Sequence, residues 1–423
     1  MVTSSLLDSG ATLLVDEMRG VRSLALGFFV NTGSGSEPPE KQGISHFLEH
    51  LLFKRTRRRG AASIAQAMDR LGGDVDAFTT KEYTGFYVHT LDALFPQALD
   101  LLADVVLCSA FRAEDVSTER GVILDEIAEA NDNPDDLAHE MFLRGFWRGH
   151  PLGAPIMGSV ATVRGISLSD LRQFYRGAYA PANIIVSVAG RVRADDVRRG
   201  VERVLRRRRP GAGGPTPRAA RPRARQHLVF EPRRGVEQAH LCLGMEAPAQ
   251  TSSRRFAAHL VDTVLGGGMS SRLFQQVREK RGLAYSITSS LCAYRLGGYE
   301  TVAAACAPKN LERVLDVTLS EMRKLRRGGV KGRELKQAKD NLKGGIVLSL
   351  ESTVSRMSAQ ARQQYYFGRV EPAEELLARV EAVTAEEAAE EAGRLLGGGA
   401  LSLSVVGNVA RLPIGAADLA AAL

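Results

Sequence analysis

Gly43-Ile44-Ser45-His46-Phe47-Leu48-Glu49-His50-Leu51-Leu52-Phe53 is the stretch from which the rest of the chain is best read. Set on a helix at about 100° per residue, His46 and His50 fall at i and i+4 on one face, roughly 5–6 Å apart at Cβ. That separation lets two imidazoles reach one metal ion. Glu49 lies beside them, one residue before the second histidine. Phe47, Leu48, Leu51, Leu52 and Phe53 make the helix apolar almost all round, so the pattern predicts a buried helix over 44–53. Burying two histidines and a glutamate is costly unless each finds a partner. A metal ion satisfies all three, two by ligation and one through a bound water. The plainer alternative is a surface helix with incidental polar residues, and the apolar context weighs against it.

Two histidines do not complete a catalytic zinc site, which needs three protein ligands and one open position. The candidate third ligand lies in Ser117-Thr118-Glu119-Arg120-Gly121-Val122-Ile123-Leu124-Asp125-Glu126-Ile127. As a helix, this segment places Glu119, Val122, Ile123, Glu126 and Ala130 on one face. Glu119 and Glu126 are thus embedded in an apolar stripe, whereas Asp125 is turned away. Glu129 lies closer to Glu126 in angle and is a weaker alternative.

The surrounding chain sets the frame. Its 423 residues are too many for one ordinary core. Apolar residues at 44% and charged residues at 25% are ordinary for a soluble protein. No apolar run reaches the roughly 18–20 residues of a membrane span. The first residues lack the basic and apolar regions of a signal peptide, and Asp8, Asp16 and Glu17 argue against a transit peptide, so a cytoplasmic location is expected. Cys108, Cys242, Cys292 and Cys306 are scattered, which predicts free thiols in a reducing compartment. The net charge of +8 invites a nucleic-acid reading, but segment 206–226 holds eight arginines and no acid. That stretch accounts for the whole excess and has no aromatic residues to stack on bases, so no nucleic-acid partner is expected.

The same arginine-, proline- and glycine-rich stretch reads as a mobile linker between two halves. The expected domains are 1–205, carrying the metal, and 227–423, a weak structural repeat of the first. In the first half an apolar helix precedes Leu71-Gly72-Gly73, an extended segment, a helix over 91–106 and a charged helix over 115–130. In the second, a helix over 256–265 runs into Gly266-Gly267-Gly268, then strands near 285–292 and 298–306, a helix over 311–325 and a charged helix from about 333. Strand-like alternation also marks 23–30 and 184–189. The mixture has no strict βαβ rhythm, so the fold class is α+β, twice. Gly266-Gly267-Gly268-Met269-Ser270-Ser271 lacks the Gly-Lys-Ser/Thr ending of a phosphate loop. His89, His139, His150, His227 and His240 show no ligand spacing.

His-x-x-Glu-His followed by a glutamate after 75 intervening residues resembles the pitrilysin family of inverted zincins. The resemblance continues in Asn31-Thr32-Gly33-Ser34, the whole of Gly43 to Phe53 with Lys54 after it, Asp76-Ala77-Phe78-Thr79-Thr80-Lys81-Glu82, His150-Pro151-Leu152-Gly153, Tyr179-Ala180-Pro181-Ala182-Asn183 and 266–285. It looks nearest to the branch of the mitochondrial processing peptidase β-subunit and its bacterial relatives. It implies two similar domains forming half of a clam-shell. It implies that His46, His50 and Glu126 hold one Zn2+, that Glu49 is the catalytic base and that Glu119 supports the site as a further acid.

The segment with Ala77 and Phe78 resembles the family's edge strand beside the metal, to which a peptide substrate adds as a further strand. Asp76 stands where the family usually has asparagine. The resemblance also implies that Arg278 and Tyr285 reach the substrate from the second domain; on pattern alone they read as a surface arginine and a core tyrosine. Partners implied are a peptide and, commonly, a second chain, either a copy or an inactive sister. An active zinc endopeptidase is the leading reading. A non-catalytic family member is the runner-up, disfavoured because such relatives typically lose the ligands that this chain retains.

Overall fold

The computed structural model describes residues 2–206, 220–397 and 399–423; residues 207–219 of the expected linker lie outside them. The chain begins with strands β1 (Thr3–Leu6), β2 (Thr12–Glu17) and β3 (Ser23–Val30). Helices α1 (Ile44–Leu52) and α2 (Ala61–Arg70) lead to β4 (Asp74–Thr79) and β5 (Thr84–Leu91). Next come α3 (Phe95–Leu107), α4 (Ala113–Asp132), α5 (Pro134–Phe146), α6 (Val160–Gly165) and α7 (Leu168–Ala178), then β6 (Ile184–Gly190) and α8 (Ala194–Leu205). The second half repeats the order with β7 (Leu228–Pro232), β8 (Ala239–Ala247), α9 (Arg255–Leu265), β9 (Ala284–Ala293) and β10 (Gly298–Cys306). It continues through α10 (Leu311–Gly328), α11 (Gly332–Ser349), α12 (Thr353–Phe367), α13 (Ala373–Ala382) and α14 (Ala385–Leu395) to β11 (Ser402–Gly407) and α15 (Ala416–Ala420).

Two mixed sheets result, ordered β1-β2-β6-β3-β5-β4 and β7-β11-β8-β10-β9. Apart from the extra β1, the two orders correspond strand for strand. In each, one pair is parallel, β2 with β6 and β7 with β11, and every other neighbour is antiparallel. The fold is two similar α+β domains, each a sheet packed with helices.

Two compact units divide the chain, but not by a single cut at the arginine-rich stretch. The first unit comprises Met1–Ile127, Pro155–Arg218 and Val347–Pro372. The second comprises Ala128–Ala154, Ala219–Ile346 and Ala373–Leu423. The halves therefore exchange a segment: α12 covers β6 and β3 of the first sheet, and α5 covers β8 and β11 of the second. Side-chain alternation requires both covers. Leu13 and Val15 point into the main core of the first unit, while Leu14 points to the opposite face, where Met357 and Ala361 of α12 meet it. In the second unit Phe142 and Phe146 of α5 pack with Cys242 and Val406. The two sheets make room in the same way. A Cβ on Gly27 of β3 would meet Met357 Sδ at 2.5 Å, and one on Gly244 of β8 would meet the Phe142 ring at 2.3 Å.

Residues 220–226 also depart from the expectation of a free linker. Pro222 is buried, the Arg225 amide donates to Phe146 O at 2.9 Å, and Arg225 O accepts from Ser402 Oγ at 2.8 Å. These residues belong to the second unit.

Helix α1 is fixed at both ends. Gly43 opens it at φ 95°, a left-handed conformation that favours glycine, and a Cβ there would meet Met157 O at 2.4 Å. No residue at the helix start caps it by side chain. Buried Glu37 does so from upstream, accepting from the Gly43 and Ser45 amides at 2.7 Å each. Burial pushes the Glu37 carboxyl up to about 7 against the opposing pull of those amides. Beyond α1, fully buried Asp104 of α3 accepts from Thr56 Oγ1 at 2.8 Å and Arg58 Nε at 3.1 Å, and pairs with Arg59. Glu37→Ala leaves two buried amides without an acceptor, and about 2–3 kcal/mol of stability should be lost. Urea unfolding of the metal-free protein measures it; a change under about 0.5 kcal/mol would show that the cap is not needed.

Candidate metal centre

The site is built on α1 and α4 in the first unit. Ile44, Ser45, Phe47, Leu48, Leu51 and Leu52 are buried, and the remaining positions of α1 carry His46, Glu49 and His50, half-buried on one side. The helix is thus not buried all round, as expected, but open where its polar side chains sit. The His46 and His50 rings lie 4.6 Å apart at their centroids.

Helix α4 brings the carboxylates. Its buried stripe is Val116, Glu119, Ile123 and Ile127. Val122 is 40% exposed, so the apolar face sits about one residue away from the expected one. That rotation leaves Glu126 at the stripe's edge, half-exposed, with its carboxylate directed at α1. Glu126 Oε2 lies 3.5 Å from His50 Nε2 and 3.8 Å from His46 Nε2. Asp125 and Glu129 are exposed. Among the described residues, His46, His50 and Glu126 form the one group of potential ligand atoms close enough to share an ion, all within 4.8 Å of one another.

These residues fit a zinc ion. Two atoms bonded to tetrahedral zinc at about 2.0–2.1 Å sit about 3.4 Å apart, close to the separations here. Burial, helped by the neighbouring His50, pulls the His46 imidazole down to about 4. It is therefore neutral at physiological pH, the form that ligates metal. His46 Nδ1 is buried with no hydrogen-bond partner.

Glu49 sits beside this group and outside it. Thr79 at the end of β4 donates to Glu49 Oε2. Burial raises the Glu49 carboxyl above its usual range, Thr79 and His50 oppose the rise, and Asp76 and Glu126 add to it. Glu119 lies one shell further out, 3% exposed. Its Oε2 is 3.5 Å from His50 Nδ1 and its Oε1 is 2.8 Å from Lys54 Nζ. Arg120 follows Glu119 in sequence. It donates to Ile166 O at 2.9 Å and to Val163 O, with its guanidinium 5.3 Å over the Phe47 ring. Lys54, Glu37 and Arg120 all contact the site's elements. The sequence pattern assigns no role to Lys54 or Arg120, though both lie in the stretches quoted above, and does not point to Glu37. Lys54 lies four residues past His50, and its spacing to Glu119 carries no periodic signal.

Strand β4 is the edge of its sheet, paired through Ala77↔Phe86 and Phe78↔Gly85 on one side only. Asp76 accepts from the Tyr87 hydroxyl at 3.2 Å and from the Ala77 amide at 2.8 Å. The second unit holds Arg278 and Tyr285 together: the guanidinium lies 4.9 Å over the Tyr285 ring and 4.8 Å over Phe274. Tyr285 is 77% exposed and is not a core residue: it is skipped by the register shift at which Ala305 pairs with Ser286 and Cys306 with Ala284. None of the four cysteines is in a disulfide; Cys242 and Cys306 are buried, and Cys108 and Cys292 half-buried. No described helix is long and apolar enough to cross a membrane.

Known proteins resemble this chain over most of its length. The family description "Insulinase (Peptidase family M16)" matches residues 14–160, and "Peptidase M16 inactive domain" matches 165–342. A Mycobacterium tuberculosis protein described as an uncharacterized zinc protease is 40% identical over 395 residues, covering 92% of this chain and 90% of its own. A Bacillus subtilis protein with the same description is 35% identical over 386 residues, covering 91% and 93%. Among solved structures, a protease from Helicobacter pylori superposes with a TM-score of 0.89 at 21% identity, over 96% of this chain and 99% of that one. A structure described as a peptidase M16 inactive domain from Pseudomonas fluorescens gives 0.88 at 22% identity, over 98% and 100%. The chain belongs to peptidase family M16, the insulinase/pitrilysin family.

Proposed function

We propose that the chain is a zinc-dependent endopeptidase acting on unfolded or short peptides, with one Zn2+ held by His46, His50 and Glu126. The reading is carried by one observation: two imidazole nitrogens and one carboxylate oxygen converge within 4.8 Å, with the Glu49 carboxylate beside them and outside the group. The zinc-protease descriptions of its relatives support the metal. Within the family we assign it to the branch of the processing-peptidase β-subunit and its bacterial relatives, on size and two-part build.

Zinc, when bound, supplies Lewis acidity that brings the acidity of a water molecule near neutrality and polarises a carbonyl. The chain's residues do the rest. The open edge of β4, along Ala77 and Phe78, takes the peptide as an added strand. It therefore binds main chain with little regard to sequence. Glu49, raised by burial and held by Thr79, takes the proton of the attacking water and delivers it to the leaving nitrogen. Glu119 orients His50 through Nδ1 and leaves Nε2 turned toward Glu126. Arg278 and Tyr285 are assigned, on the resemblance, to the substrate carbonyl as charge develops on it.

Glu49→Gln should retain the metal and lose activity by about 10²–10⁴-fold, because an amide cannot accept the proton. His46→Ala should lose both. Elemental analysis beside a peptide-library digest separates the two; near-wild-type turnover by Glu49→Gln would place the base elsewhere. Arg278→Ala should lower kcat/KM by about 10²-fold with zinc content unchanged. Unaltered cleavage across the library would remove Arg278 from the reaction.

A further inference from the structure

We propose that Lys54 is a positioning residue for the metal centre, acting through Glu119 on His50. The inference rests on the zinc reading above and concerns a residue to which the resemblance assigns no role. Three observations on one line carry it. Lys54 Nζ lies 2.8 Å from Glu119 Oε1, Glu119 Oε2 lies 3.5 Å from His50 Nδ1, and His50 Nε2 lies 3.5 Å from Glu126 Oε2.

Glu119 is 3% exposed, inside a stripe of Val116, Ile123 and Ile127. A carboxylate there is strongly disfavoured unless a cation and hydrogen-bond donors replace its lost water. Lys54 is that cation. Its own side chain is 39% exposed, so it brings the charge from the solvent side and keeps much of its hydration. The pairing divides the carboxylate: Oε1 is taken by the ammonium and Oε2 is left for the imidazole. A carboxylate held at both oxygens has a fixed plane. His50 is then held at Nδ1 in one ring orientation, with Nε2 facing the ligand group.

Lys54 is placed to do this by the chain just past α1. Its amide donates to Leu51 O at 3.1 Å as the helix ends. The next residues are tied down separately, Arg55 to Asp115 at the start of α4 at 2.9 Å, and Thr56 to Asp104 of α3. The backbone of this turn does not depend on the Lys54 ammonium. Removing that charge should therefore disturb the carboxylate and the ring rather than the turn.

The test is zinc affinity of the full-length, metal-free protein, by competition with a chromophoric chelator, with thermal melting as the fold control. Lys54→Met should weaken the zinc Kd by about 10–100-fold, the usual cost of losing an outer partner of a metal ligand. Lys54→Arg should restore most of the affinity, since it retains the charge. Because Lys54 works through Glu119, the Lys54→Met/Glu119→Gln double variant should bind no more weakly than Glu119→Gln alone. Lys54→Gln, measured in the same way, stands in if the methionine variant melts early. A wild-type Kd for Lys54→Met or Lys54→Gln, or a double variant whose loss is the product of the two single losses, overturns the proposal. Wild-type protein that binds no zinc would overturn the zinc reading itself, whereas zinc-binding wild type with unaffected Lys54 variants rejects the Lys54 role alone.

Discussion

Two imidazoles and a carboxylate on a helix whose other faces are buried set the terms for the first unit. Each polar group there must find a partner, and α4 supplies it from the side that α1 leaves open. Glu126 faces both His46 and His50, and Glu119 meets the far nitrogen of His50. The requirement spreads outward. Glu119 needs Lys54, and Glu49 is held by Thr79 of the edge strand. Each helps orient a group nearer the ligand atoms, which is how outer partners tune metal sites.

Rigid support from the fold makes this arrangement possible. Helix α1 begins on a left-handed glycine and is capped by Glu37 from outside the helix, and the chain leaving it is locked to Asp104. The sheet beside it is covered on both faces, one by helices of its own half and the other by α12, which arrives from the far end of the chain. The second half receives α5 in return. Gly27 and Gly244, at corresponding strands, clear space for these two helices, so the exchange is written into both sheets.

Much of the site was legible in the sequence because it obeys helical spacing. His46 and His50 at i and i+4, and Glu119 and Glu126 seven apart, declare a shared face whatever the fold around them. Strands 23–30 and 184–189 and the helix over 44–53 emerged within a residue or two, since alternation and apolar periodicity leave few options there. The exchange of α5 and α12 was not legible. An amphipathic helix shows that it covers a sheet, not which of two similar sheets it covers. The division at the arginine-rich stretch therefore put 128–154 and 347–372 with the wrong partners. Val122 was placed on the buried stripe because a helix pattern fixes angles only to about one residue. Glu37 was missed and Lys54 was given no role because their partners are tertiary, and Tyr285 read as core because an aromatic at a strand position gives no sign of which face it occupies.

X-ray absorption at the zinc edge of the fully loaded protein tests the central claim most directly, because it reports the ligand atoms rather than their consequences. Two imidazole nitrogens with only oxygen besides, all at about 2.0–2.2 Å, is the result predicted for His46, His50, Glu126 and one open, solvent-filled position. A sulfur shell near about 2.3 Å, or a single imidazole, would contradict it and place the metal elsewhere in the chain.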